Sequence, residues 1–251
     1  MRNAGQSHAL ARQFVYLAAI FGSLYLVINP PFAVNDEDVH LARIYELSTG
    51  RLLTRTDAGG DYHLVPSDYL KASEDYQGIG RHKGPRVRPK KVFAALRAGR
   101  PEAPLVRMKA RAGGYLPIAY HLQLPVVFLA RQLNISAFWH LYLARCASLL
   151  LYVFLAWHAV RTVTGPLQWV FLALGLIPMA LTQAAGVSSD GLLIGVSLLY
   201  FALIAEGSVG AAPLTRRQHV VLAACLLVAT LCKPVYILLG MCLPLLSFHT
   251  P

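Results

Sequence analysis

Apolar residues fill six long runs of this chain, at 13–32, 138–160, 166–185, 190–206, 218–232 and 234–248. None of these runs carries the regular polar stripe of a helix that covers a soluble core. Hydrocarbon offers no partner to a backbone N–H or C=O, so a spanning segment must be a helix of about 20 mainly apolar residues. The pattern predicts an all-α, polytopic transmembrane bundle of about six spanning helices, or about seven if 115–130 also spans. That last run is short and holds Pro117, His121, Gln123 and Pro125. The first run follows Arg2 and Arg12 and ends in Asn29-Pro30-Pro31-Phe32, which lacks the small-x-small pattern of a cleavage site. It reads as an uncleaved spanning helix stopped by its proline pair.

Charge divides the chain. Residues 36–111 carry 25 of the 35 Asp, Glu, Lys and Arg side chains, and the 140 residues after Arg111 carry eight. This predicts three parts: 1–32, a cytoplasmic N-terminus with the first spanning helix; 33–137, a large polar loop with interfacial helices; and 138–251, the rest of the bundle. If 115–130 lies in the interface or re-enters, the Arg2/Arg12 end, Arg161 and Arg216-Arg217 all fall on one side. The positive-inside rule makes that side cytoplasmic. The loop 33–137, the turn Ser188-Ser189-Asp190 and Lys233-Pro234 then meet at the non-cytoplasmic surface. The net charge of +11, in a chain embedded in a lipid bilayer, points to anionic lipid or phosphate and to no nucleic acid. Cys146, Cys225, Cys232 and Cys242 all lie in apolar runs and read as buried structural thiols, with neither disulfide nor zinc spacing.

Chemistry concentrates just past the first helix, at Asn35-Asp36-Glu37-Asp38 followed by His40 and Arg43. If 36–48 is helical, Val39, Ala42 and Leu47 rest on the membrane surface, while Asp36, Glu37 and His40 face a cavity. Carboxylates there suit a general base, and Asp36 with Asp38 offers oxygen ligands to a divalent cation, Mg²⁺ or Mn²⁺. Acidic capping of a helix start explains the same residues equally well. The stretch 76–111 holds 11 Lys and Arg against Glu102 alone; it reads either as a phosphate-capturing segment or as a loop resting on anionic lipid. Arg145, inside an apolar run, needs a polar partner at that depth. Asp190 is the expected one, with Lys233 and Ser189 nearby.

These features resemble a family when taken in order. They are Asp36-Glu37-x-x-His40 with Arg43 and Gly50; Tyr115-x-Pro117-x-x-Tyr120; Arg145 with Ser148; Pro178-x-x-x-x-Gln183; Ser188-Ser189-Asp190; and Lys233-Pro234-x-Tyr236. Over about residues 14–248 the chain resembles the bacterial predicted membrane proteins with domain of unknown function 2142. That family in turn looks like the GT-C membrane glycosyltransferases. The resemblance implies a multi-pass protein of the bacterial inner membrane. It implies glycosyl transfer from a polyprenyl-phosphate-linked sugar to a cell-envelope acceptor on the non-cytoplasmic side. Asp36 or Glu37 would be catalytic, and His40, Arg43, Tyr115, Tyr120, Arg145, Ser189, Asp190, Lys233 and Tyr236 would bind substrate. Asp38 stands where the family often has proline, and further helices are expected beyond Pro251, which would make this chain a shortened member. The alternative is a non-catalytic transporter or scaffold of cell-envelope polysaccharide assembly.

Overall fold

A computed structural model describes residues 4–76, 88–97, 103–210 and 213–246. The order is α1 (Ala4–Ile28), α2 (Glu37–Ser48), β1 (Arg55–Asp57), β2 (Gly60–Pro66), α3 (Ser67–Tyr76), α4 (Pro89–Arg97) and β3 (Leu105–Lys109). A 3-10 helix (Pro117–Tyr120), α5 (Gln123–Gln132), α6 (Ala137–Thr162), α7 (Leu167–Gly175) and α8 (Pro178–Ala184) follow. The described chain closes with α9 (Asp190–Val209), α10 (Arg216–Cys232) and a second 3-10 helix (Pro234–Leu245).

Among the described residues, three helices are long and apolar enough to cross a membrane: His8–Ile28 of α1, α6 and α9. The pair α7 and α8, bent by 54° at the break before Pro178, makes a fourth if it counts as one span. The described residues therefore supply three or four of the six or seven expected spans. The segment 115–130 breaks into a four-residue 3-10 helix and the ten-residue α5; ten residues rise only about 15 Å, half the hydrocarbon thickness. Helix α10 has 17 residues, with two arginines in its first turn, and the final 3-10 helix has 12 with Pro244 inside it.

Helix α6 is the central element. It packs on α1 and α9, and small residues let the backbones approach: a Cβ at Gly22 of α1 would stand 2.6 Å from Leu149 of α6. Tyr152, fully buried, donates its hydroxyl to the Gly175 carbonyl at the end of α7 (2.7 Å), which fixes the bend.

The polar region is not wholly helical, which corrects the all-α expectation. Strands β1, β2 and β3 form an antiparallel sheet in that order, with Asp57 opposite Gly60 and Tyr62 opposite Lys109. The β1–β2 hairpin turns over Ala58-Gly59, where the Asp57 carboxylate accepts the Gly59 N–H (2.8 Å), and Gly60 takes a positive φ of 97°. The sheet covers α2, every residue of which is buried. Val39, Ala42 and Leu47 are thus core residues beneath the sheet and α5, not a face resting on lipid. Among the thiols, Cys225 and Cys232 are buried and Cys242 is partly so; Cys146 is exposed, contrary to expectation, and all four are free.

Candidate functional site

A proline pair sets up the first polar feature. Proline at position 30 has no N–H to give the Leu26 carbonyl, so the last turn of α1 is left with unpaired acceptors. Arg145 reaches them from α6. Its Nη1 donates to the carbonyls of Leu26 (3.2 Å) and Asn29 (2.9 Å), and its Nη2 to that of Pro30 (2.8 Å). Nε and Nη2 also donate to the two carboxylate oxygens of Glu37, at 2.7 and 2.6 Å. All five guanidinium hydrogens are thereby used. Glu37 Oε1 accepts one more bond, from the Val187 N–H (3.0 Å), and both charged side chains have 0% exposure. The result is a clasp joining the end of α1, the start of α2, the middle bundle and the turn before α9. Arg145 does not pair with Asp190, because a bidentate carboxylate and three carbonyls already exhaust its donors.

Asp190 begins α9 and instead accepts from Lys233 Nζ at 2.7 Å, a pair about one-third exposed. Beside it lies His40. Burial pulls the His40 imidazole down to about 4, against the opposing pull of Asp190, Asp36 and Asp38 and with the help of Lys233. His40 Nδ1 hydrogen-bonds the Tyr120 hydroxyl at 2.6 Å, and the ring meets Tyr115 edge-on at 5.0 Å. Burial also holds the Tyr120 phenol well above its ordinary range. Asp36 precedes α2 in the left-handed conformation (φ 56°). Its exposed carboxylate accepts from Asn35 (2.8 Å) and makes no side-chain cap, which removes simple capping as its role. The structure therefore gathers Asp36, His40, Tyr115, Tyr120, Asp190 and Lys233 at one end of the bundle. Tyr236, three residues after Lys233, is partly exposed and close enough to influence that amine.

The remaining expected residues turn inward. Arg43, 2% exposed, donates to the carbonyls of Leu52 (2.6 Å) and Tyr115 (3.3 and 3.4 Å) and faces Glu46 at 3.6 Å. It braces the segment that carries Tyr115. Ser189 is fully buried at the foot of α9. Asp38 is held by Arg111 (3.1 Å) and Ser73 (3.4 Å). Among the described residues no three His, Cys, Asp or Glu side chains converge on one point. With Asp38 engaged elsewhere, Asp36 and Asp38 do not fit a divalent-cation site. Of the basic stretch, Arg81, His82, Lys83, Arg86 and Arg100 lie outside the described residues.

Two buried pairs were missed in the sequence. Glu46 binds His63 of β2, with Arg55 at 3.5 Å, and fastens α2 to the sheet. Burial lowers the His63 imidazole while the Glu46 hydrogen bond opposes that shift. Tyr69 of α3 bonds His140 of α6, and Tyr45 stacks on the same imidazole.

The fold defines a mostly helical protein with three, or up to four, candidate membrane spans among its described residues and a small polar sheet packed on the helices. The family described as "Predicted membrane protein (DUF2142)" matches residues 19–248, and the chain belongs to it. No curated protein and no solved structure matches the chain.

Proposed function

We propose that this protein is a GT-C-like membrane glycosyltransferase that uses a polyprenyl-phosphate sugar and a cell-envelope acceptor on the non-cytoplasmic face of a bacterial inner membrane. One observation carries the reading: an exposed carboxylate (Asp36), a neutral buried imidazole (His40) and a partly exposed amine (Lys233) from distant segments share one end of the bundle. A donor whose polyprenyl tail lies in lipid presents its phosphate at that level.

Asp36 takes the proton of the acceptor hydroxyl as its oxygen forms a bond to the anomeric carbon. The bond from that carbon to the phosphate oxygen breaks, its electron pair leaves with the polyprenyl phosphate, and Lys233 stabilises the developing charge. Asp36 then releases the proton to water. Tyr115 and Tyr236 offer ring faces to the sugar. His40 and Tyr120 form the floor, and Arg43 holds Tyr115 in place. Glu37, saturated by Arg145 and Val187, positions Asp36 and exchanges no proton. The scheme does not require a divalent cation.

The second reading, a non-catalytic transporter or scaffold, uses the same cluster of polar residues for binding alone. Purified protein in liposomes, supplied with a panel of polyprenyl-phosphate sugars and with extracted cell-envelope glycolipid and polysaccharide as acceptors, separates the two. Release of polyprenyl phosphate supports transfer, and saturable donor binding without release supports the scaffold or transporter.

A further inference from the structure

The first turn of α6 places α4 relative to the membrane. Residues 138 to 140 each receive an element of the polar region. Phe138 meets Tyr76 of α3 edge-on at 5.7 Å. The Trp139 indole N–H donates to the Leu96 carbonyl of α4 at 2.8 Å. His140 takes Tyr69. Helix α6 is one of three candidate spans among the described residues, and Leu150 and Phe154, both exposed, lie about 17 and 22 Å further along it. Trp139 therefore sits at the membrane–water boundary, where a ring with one apolar and one polar end is most stable. The hydrogen bond to Leu96 fixes α4 at the same depth.

Helix α4 has the composition of an interfacial helix. Val92 packs inward at 8% exposure, while Phe93 projects outward at 62%. Its charges are Lys90, Lys91 and Arg97, all exposed, with exposed Arg88 just before it and no acidic residue between 88 and 97. A bare phenyl ring flanked on its own helix face by Lys90 and Arg97, with Lys91 and Arg88 close by in the chain, matches one surface at headgroup depth: an apolar boundary overlaid with negative charge.

We infer that α4 is a lipid-reading anchor, with Phe93 inserted among the acyl chains and Lys90, Lys91 and Arg97 binding anionic phospholipid headgroups in the leaflet beside the polar region. Snorkelling lets the long basic side chains reach the phosphates while their stems lie on the apolar boundary. Through Trp139 the anchor is tied to α6, so the lipid beside α4 is coupled to the platform that carries the sheet. Unlike the proposed glycosyl transfer, this inference does not depend on the cluster of Asp36, His40 and Lys233.

The test uses the whole protein with a photo-crosslinking phenylalanine analogue in place of Phe93, in nanodiscs of phosphatidylcholine containing 30% phosphatidylglycerol (about three molecules in ten, an amount that supplies anionic surface charge). Mass spectrometry then counts the adducts. The expected result is lipid adducts enriched in phosphatidylglycerol beyond its share of the bilayer. K90Q/K91Q/R97Q should keep the adducts but bring their phosphatidylglycerol fraction back to its share of the bilayer. Absence of lipid adducts at position 93 overturns the insertion. Phosphatidylglycerol adducts at no more than its bulk share, or enrichment that survives the triple substitution, overturns the anionic preference.

Discussion

Replacing Arg145 with methionine should be among the most damaging single changes in this protein, and removing Glu37 as well should recover part of the loss. Arg145→Met leaves the Glu37 carboxylate buried with only the Val187 N–H as partner. Breaking a buried pair in this way costs about 3–5 kcal/mol. It also frees the Leu26 and Asn29 carbonyls, each worth about 1 kcal/mol at the lower end for an unpaired buried acceptor. Pro30 keeps the bond it accepts from the Ala33 N–H (3.2 Å). A loss of roughly 5 kcal/mol follows for the single variant. Glu37→Gln alone leaves the Arg145 charge buried without its counter-charge but keeps one side-chain acceptor and three carbonyls on it, so it should cost about 3 kcal/mol, the low end for a broken buried pair. In Glu37→Gln with Arg145→Met no unpaired charge remains. The cycle should therefore show a coupling of about 2–3 kcal/mol. Steric trapping of the unfolded protein in bicelles gives the free energies. The parallel cycle of Arg145→Met with Asp190→Asn serves as control and should be additive within about 0.5 kcal/mol. Additivity in the first cycle, or strong coupling in the second, would refute the clasp.

Three further outcomes are expected. Because the His40 imidazole sits near 4 when folded and 6.5 when unfolded, the unfolded chain binds more protons between those values. Its contribution, at most about 3 kcal/mol, is complete above pH 6.5 and lost as pH falls toward 4. Melting temperatures across that window should fall more steeply for wild type than for His40→Gln, and parallel profiles would contradict the burial argument. The capping box at α10, in which Thr215 and Gln218 exchange hydrogen bonds, predicts that Thr215→Ala costs about 1 kcal/mol, measurable as a lower melting temperature; an unchanged value would count against it. For topology, a membrane-impermeant thiol reagent should label Leu53→Cys and not Arg217→Cys in intact cells, and the reverse pattern would invert the orientation.

Much of this arrangement is visible in the sequence, and the misses have physical causes. Hydropathy marks α1, α6 and α9, because composition alone decides whether a helix tolerates lipid. It overstates 218–232 and 234–248, because apolar character says nothing about whether a run is long enough or α-helical; Pro234 and Pro244 turn the latter into a 3-10 helix. The hairpin had a local signal: Gly59-Gly60 lies before the run Tyr62 to Val65, a turn followed by aromatic and branched residues. The charge density of the loop obscured it. Asp36, His40 and Lys233 were found because polar residues beside spanning helices are costly and therefore conspicuous. Their pairing was not legible. Arg145 and Glu37 are 108 positions apart, and the choice between Glu37 and Asp190 depends on the carbonyls that Pro30 leaves unpaired.

The most direct test of the account concerns the two neighbouring acids, which its chemistry treats differently. Donor cleavage by reconstituted protein, followed as release of polyprenyl phosphate from the best substrate of the panel, should fall by at least about a hundredfold in Asp36→Asn, the scale of a lost general base. Protein content in the liposomes and melting temperature should stay at wild-type values. Glu37→Gln should show the opposite profile: a lowered melting temperature, with turnover per folded molecule reduced far less. Wild-type turnover in Asp36→Asn would contradict the account, as would an absence of donor cleavage by the wild-type protein across the panel.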